Sequence, residues 1–259
     1  MSPLFQKFNE LHQQEEPLLI GNVWNVQSAK VYENKNFKAI ATSSAAVAET
    51  LGYADGEEMS FEEYLFVIKR ITNSVSIPLS VDLEAGYGKT VPEIVENLKK
   101  LHELGVCGVN IEDSDMQDGK RTIADPEVFA TKIKAITAAL SEAKIELFIN
   151  LRSDVFLLGL DNALAEAQKR ISLYEATGAQ GLFFPCVTAT EDIIALTATS
   201  NLPINVMCMP TLPDFTTLKN AGVKRISMGG FLNKKAYQFL ETETQTVLEN
   251  NSFASVFEN

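Results

Sequence analysis

Short apolar runs alternate with longer amphipathic stretches from about residue 18 to residue 240. The runs are LLIGNV (18–23), FKAIATS (37–43), IPLSVDL (77–83) and GVCGVNIE (105–112). They continue as IELFINL (145–151), AQGLFFP (179–185), LPINVMCM (202–209) and VKRISMG (223–229). Each is too continuous for a half-exposed strand, and buried parallel strands read this way. The stretches between them carry helix signals. Ser60 with Glu63 and Thr90 with Glu93 have capping-box spacing, and Pro92 falls in the first turn of the second. VPEIVENLKKLHELG then runs amphipathically and stops at Gly105, a predicted C-cap. The same helix–glycine–strand junction recurs near Gly178 and Gly222, so βα units repeat along the chain.

Eight strands separated by helices predict an α/β fold, a closed (β/α)8 TIM barrel, with an open doubly wound sheet as the alternative. The 259 residues suit one such domain spanning 1–259. Residues 232–259 read as a C-terminal helical extension with Phe253 and Phe257 as apolar anchors. That tail packs either on its own barrel or, by exchange, on a neighbouring subunit. At 46% hydrophobic and 22% charged residues the chain supports a large core. Its net charge of −12 repels polyanions, which sets aside nucleic acid and anionic membranes as partners. No apolar stretch approaches 18 residues, and the first residues lack the pattern of a signal peptide. Three widely spaced cysteines suggest neither a disulfide framework nor a zinc site, and a reducing cytoplasm fits them.

In a barrel, chemistry sits where strands end and βα loops begin. Acidic groups concentrate after the third and fourth runs: Asp82 and Glu84, then Glu112 and Asp113, with Asp115 close behind. Asp82 and Glu84, two apart on an extended segment, are expected to face the same side and to meet Glu112. Like charges that close call for a cation, and all-oxygen ligands suit Mg2+ or Mn2+. The bland alternative is that these acids cap helices or pair with Lys and Arg. Arg152, at the end of an apolar run, needs an anionic partner, either one of those acids or a substrate carboxylate. Ser43-Ser44-Ala45 offers hydroxyls and helix N-terminal N–H groups to a carboxylate, or simply an N-cap. Gly86-Tyr87-Gly88-Lys89-Thr90 is not a P-loop, because Leu83 stands where its first glycine belongs. His12 and His102 read as surface residues, and Cys107 and Cys208 as small core residues.

The stretches GNVWNVQSAKV, FKAIATSSAAVAETLGYADGE, PLSVDLEAGYG, GVNIED and INLRSD resemble the isocitrate lyase / phosphoenolpyruvate mutase superfamily over nearly the whole chain. The resemblance implies a Mg2+-dependent barrel, usually a tetramer exchanging C-terminal helices. It implies making or breaking a C–C or P–C bond beside a 2-oxo or 2-hydroxy carboxylate, through a metal-stabilised enolate. Asp82 would then be the direct metal ligand, with Glu84, Glu112 and Asp55 on metal-bound waters. Ser43, Ser44 and the N–H of Ala45 would bind the substrate carboxylate, Arg152 would bind a carboxylate or the departing group, Asp82 would also meet the substrate, and Trp24 would wall the pocket. Two departures shape the expected activity. The loop DSDMQDGKRTI lacks the cysteine of the superfamily's isocitrate-type lyases and the asparagine of its mutases, leaving Lys120 and Arg121 as candidate catalytic groups. The expected activity is a lyase, decarboxylase or hydrolase of a small 2-oxo or 2-hydroxy di- or tricarboxylate. The alternatives are a phosphonate mutase or hydrolase, with Lys120 and Arg121 at the phosphonate, and a non-catalytic barrel that binds metal and carboxylate. The polar 114–123 loop, with Gly119, is expected to act as a lid.

Overall fold

A computed structural model describes residues 2–117 and 119–257, with the side chains of Asp115 and Gln117 left undescribed. Eight parallel strands close into a barrel: β1 (Leu18–Val23), β2 (Ile40–Thr42), β3 (Leu79–Asp82), β4 (Gly108–Glu112), β7 (Phe148–Arg152), β8 (Gly181–Phe183), β9 (Ile204–Met207) and β10 (Arg225–Ser227). The numbers 5 and 6 belong to an inserted antiparallel hairpin, β5 (Ser114–Gln117) and β6 (Lys120–Ile123). Each barrel strand lies inside one of the eight apolar runs, except that β7 extends one residue past its run to Arg152. Closure is direct, since Leu18, Leu19 and Ile20 pair with Arg225, Ile226 and Ser227.

Helices α2 (Val26–Asn34), α3 (Ser44–Leu51), α4 (Phe61–Thr72), α5 (Val91–Glu103), α6 (Pro126–Glu142), α7 (Ala163–Tyr174), α8 (Thr190–Thr199) and α9 (Phe215–Asn220) cover the outside. Both predicted capping boxes form: Ser60 Oγ accepts from Glu63 N and Thr90 Oγ1 from Glu93 N, each glutamate reaching back to the cap N–H. Ile68, Ile71, Leu98, Leu101, Ile133 and Ile136 pack from these helices onto strand residues such as Val81, Val109, Ile111, Ile149 and Val206. That shared burial supplies most of the drive to fold.

A smaller cluster closes the barrel's other end. Helix α1 (Pro3–Leu11) drives Phe8 and Leu11 against Leu18, Ile20, Ala39, Ala41, Cys107 and Phe148. His12 belongs to this plug and is only 1% exposed, which corrects the surface reading. Its ring stacks on Phe148 at 4.1 Å, and Nδ1 donates to the Phe8 carbonyl at 2.8 Å. Cys208 is the reverse correction: β9 ends at Met207, and Cys208 is exposed just beyond it.

Helix α10 (Phe231–Asn250) and the short α11 (Ala254–Phe257) follow the last strand. Among the described residues of both, only Asn233 is buried. Among the described residues no helix is long and apolar enough to cross a membrane.

Candidate active site

The acids after β3 and β4 are held by three successive loops. In the loop after α3, Glu57 donates its N–H to Glu84 Oε2 at 2.8 Å, and Glu57 Oε1 accepts from Tyr87 N at 2.7 Å. Tyr87 in turn donates its hydroxyl to Glu84 Oε1 at 2.9 Å. The backbone is left-handed at Glu84 (φ 51°), Gly86 (φ 115°) and Tyr87 (φ 53°). The strand's alternation therefore ends at Asp82, and Glu84 does not share its face by pleat. A Cβ on Gly86 would lie 2.9 Å from Ile94 of α5, so the turn needs glycine for space as well as for φ.

Asp82 keeps one oxygen for each side of the pocket. Oδ2 accepts from Ser44 Oγ at 2.8 Å and Oδ1 from Asn110 Nδ2 at 3.2 Å. Ser43 is the N-cap of α3, accepting from Ala46 N at 3.4 Å, so the capping reading of this motif holds. The first-turn N–H groups of Ser44 and Ala45 have no intrahelical partner, and Ala45 is exposed at the mouth.

Glu112 sits deeper, 4% exposed, in a network of arginines. Arg152 Nη1 lies 2.9 Å from its Oε2, and Arg121 Nη1 pairs with its Oε1. Arg152 also makes a two-pronged bond to Asp154, Nε to Oδ1 at 2.7 Å and Nη2 to Oδ2 at 3.2 Å. Burial alone would depress the Arg152 guanidinium, but Glu112 and Asp154 more than offset it and hold it above the ordinary arginine range. Burial pushes Glu112 up to about 7, against the pull of Arg152 and Arg121. Glu84, buried and repelled by Asp55 and Asp82, is pushed up to about 8.

The hairpin is the unforeseen element. It delivers Arg121 into the acids: besides Glu112, its Nη1 reaches Ser114 Oγ at 2.9 Å and Asp154 Oδ2 at 3.0 Å, and its Nη2 reaches Asp55 Oδ2 at 3.1 Å. Lys120 is exposed. Asp118 of this segment and the side chain of Asp115 lie outside the described residues. Trp24 lines a cavity of 410 Å³ with Leu232, Tyr237 and Leu240 of α10. Ser114 and Asn110 contact the site acids although the sequence does not single them out. Their signal was position alone, at or just past a strand end.

The three acids Asp82, Glu84 and Glu112 do not form a ready set of direct ligands. Among the described residues no three acidic, histidine or cysteine side chains are grouped to hold one ion. Glu112 is paired with two arginines, and Glu84 is turned toward Glu57 and Tyr87. The donor set is nonetheless all oxygen, and Asp55, Asp82 and Glu112 each raise the pKa of Glu84. Mutual repulsion of that kind is what a hard, largely hydrated cation relieves. The all-oxygen chemistry of these residues fits such an ion.

The model of the family described as phosphoenolpyruvate phosphomutase matches residues 8–248. The chain belongs to the phosphoenolpyruvate mutase / isocitrate lyase superfamily. It is an enzyme of that group, whose members are lyases and mutases. A Burkholderia cenocepacia J2315 structure, provisionally named a phosphonomutase, superposes with a TM-score of 0.88. It is 34% identical, over 94% of this chain and 100% of that one. An uncharacterized Mycobacterium tuberculosis protein is 30% identical over 86% of this chain and 81% of its own length. An oxaloacetate decarboxylase from Bradyrhizobium sp. (strain BTAi1) is 28% identical over 71% of this chain and 64% of its own length. For this superfamily member, Asp82, Ser44 and Arg152 stand together at the strand ends where the fold places its chemistry.

Proposed function

We propose that the protein breaks a C–C bond in a small 2-oxo or 2-hydroxy di- or tricarboxylate, as a lyase, decarboxylase or hydrolase. The carrying observation is Arg152, a buried cation fixed by Asp154 and Glu112 at the end of β7. The likeness to an oxaloacetate decarboxylase supports the same substrate class.

In this reading Asp82 would hold Mg2+ or Mn2+ directly, and Glu84, Glu112 and Asp55 would hold it through water. Such an ion supplies Lewis-acid charge to the oxygen of a 2-oxo group. Ser43, Ser44 and the N–H of Ala45 hold one substrate carboxylate at the positive end of α3. Arg152 holds the second, or the departing group, and steadies the negative charge that develops as the bond breaks. Its bonds to Asp154 fix the guanidinium plane, so little reorganisation is needed in the reaction. The 114–123 hairpin acts as the lid, Arg121 being the latch on its inner side. Exposed apolar groups on α10 and α11 are covered by exchange between subunits of a dimer or tetramer.

A second reading has its own observation. Arg121 lies inside the site rather than on the surface, where it can meet a phosphonate, and a phosphonate mutase or hydrolase would use it so.

A screen for pyruvate release from 2-oxo and 2-hydroxy di- and tricarboxylates, with and without Mg2+, tests the first reading. Metal-dependent release supports it. No release from any of them, with a changed phosphorus NMR spectrum on phosphonopyruvate, moves the assignment to the P–C bond.

A further inference from the structure

Arg225 is the largest fully buried side chain in the described structure, and the roles assigned above leave it without one. It lies on β10, with Asn205 of β9 and Leu18 of β1 as strand neighbours. Its neighbour Ile226 packs into the outer core, so Arg225 itself points into the barrel. Strand order confirms this. β10 and β4 stand opposite each other around the barrel, yet Arg225 Nη2 lies 3.5 Å from Asn110 Oδ1. That contact crosses the interior.

Around it is a layer of amides. Asn150 Nδ2 donates to Asn110 Oδ1 at 2.9 Å and to Asn205 Oδ1 at 3.3 Å. Gly181 leaves the space for it, since a Cβ there would fall 2.7 Å from Asn150 Oδ1. Asn110 is therefore oriented from below. Its carbonyl oxygen faces Arg225 and Asn150, which leaves its Nδ2 to donate upward to Asp82 Oδ1. Were the amide reversed, a carbonyl oxygen would face the carboxylate and an N–H would face a guanidinium, both repulsive.

Among the described residues no ion pair links the guanidinium to a carboxylate. Its Nε and Nη1 have no hydrogen-bond partner among the described residues. Burial draws its pKa down to about 10, with Asp82 the group that opposes the fall, so it stays charged at neutral pH. A buried, poorly partnered cation costs stability, and a core that needed only volume would be better served by an apolar side chain.

We propose that Arg225 is a positioning residue for Asp82, acting through the amide of Asn110 from the floor of the barrel. This rests on the reading that Asp82 takes the cation. Asn110 sets the direction of the carboxylate, and Arg225 with Asn150 sets the direction of Asn110. Such outer partners of a metal ligand typically govern affinity by 10–100-fold.

The test compares Arg225→Met and Arg225→Lys with wild type. Mn2+ affinity, read by electron paramagnetic resonance titration, is expected to fall about tenfold or more in the Met protein and to recover in the Lys protein. Thermal stability of the Met protein is expected to hold or rise, the opposite of what a purely structural arginine would show. Arg225→Gln serves the same purpose should the Met protein not fold. Crystal structures provide the readout that needs no metal. A turned Asn110 amide or rotated Asp82 carboxylate in the variant supports the proposal, and an unmoved pair with unchanged Mn2+ affinity overturns it. If the wild type itself binds no Mn2+, the metal reading of Asp82 fails, and the crystallographic comparison still decides the role of Arg225.

Discussion

Arg121 and Arg152 share one oxygen of Asp154: Arg121 Nη1 donates to Oδ2 at 3.0 Å and Arg152 Nη2 to the same atom at 3.2 Å. One arginine comes from the hairpin and the other from the barrel wall, so a single buried carboxylate fastens the hairpin to the barrel. Arg121→Ala is expected to release the hairpin. Amide exchange of the 114–123 segment should rise sharply while exchange in the barrel strands stays slow. The stability cost should be about 1–3 kcal/mol, since Arg152 remains on both Glu112 and Asp154. Unchanged exchange in the hairpin would show that Arg121 is not its latch.

Asp82→Ala removes the one carboxylate read as a direct ligand. Metal-dependent turnover of whatever substrate the screen identifies is expected to fall by roughly 10²–10³-fold or more, and added Mg2+ should not restore it. Glu112→Gln is expected to be milder for the ion yet costly for Arg152, which would keep only Asp154. Full activity in the Asp82 variant would refute the assignment of the site.

Much of this arrangement is legible in the chain, and the exceptions have particular causes. The eight strands show because each is buried on both faces, which writes a continuous apolar run. Asp82, Glu112 and Arg152 show because they close those runs. The hairpin does not: SDMQ and KRTI are polar, and their pairing is fixed by where Arg121 goes rather than by an apolar face. Glu84 misleads because the strand's alternation ends at Asp82 and the backbone turns left-handed at Glu84 itself. His12 misleads because a lone histidine before the first strand has no pattern, and only the docking of α1 places it against Phe148.

His12 makes the stability of the protein depend on pH in a defined direction. Burial, with Arg225 adding to it, lowers its pKa from 6.5 to about 3. The folded state thus binds its proton less readily than the unfolded chain. Below about pH 6.5 the unfolded chain gains a proton that the native plug refuses, so stability falls as pH drops, down to about pH 3. The slope from this group approaches about 1.4 kcal/mol per pH unit. His12→Phe keeps the aromatic stack and removes the proton. Urea denaturation at several pH values should show a shallower acid limb for that variant, and parallel curves would refute the assignment.

Arg170 ties α7 to the strand ends without touching the pocket. Its Nη1 pairs with Asp113 Oδ2 at 2.7 Å, and Asp113 Oδ1 accepts from Asp154 N at 3.1 Å. Arg170→Leu leaves Asp113 buried without its cation, the Tyr174 hydroxyl still donating to it. Breaking one side of a pair this buried costs about 3–5 kcal/mol. The loss should appear as a lower urea midpoint at unchanged slope. A shift of less than about 1 kcal/mol, within the range of an exposed pair, would mean that Asp113 is satisfied without Arg170.

The C-terminal helices carry the last expectation. Tyr237, Phe239, Leu240, Leu248, Phe253 and Phe257 are 48–83% exposed on α10, α11 and the turn between them. An apolar surface on this scale is uncommon on a monomer and marks a contact face. Sedimentation of the 28.5 kDa chain at micromolar concentration is therefore expected to give a dimer or tetramer. Phe239→Glu with Leu240→Glu places two charges in that face, and unpaired charges in an interface core oppose association. The double variant should sediment as a monomer with its barrel still folded by far-ultraviolet circular dichroism. Trp24 supplies an internal reporter, because it lines the cavity that Tyr237 and Leu240 border, and its emission should shift red when that contact is lost. A wild-type monomer at these concentrations would leave the tail folded on its own barrel, the other packing that its aromatic anchors allow.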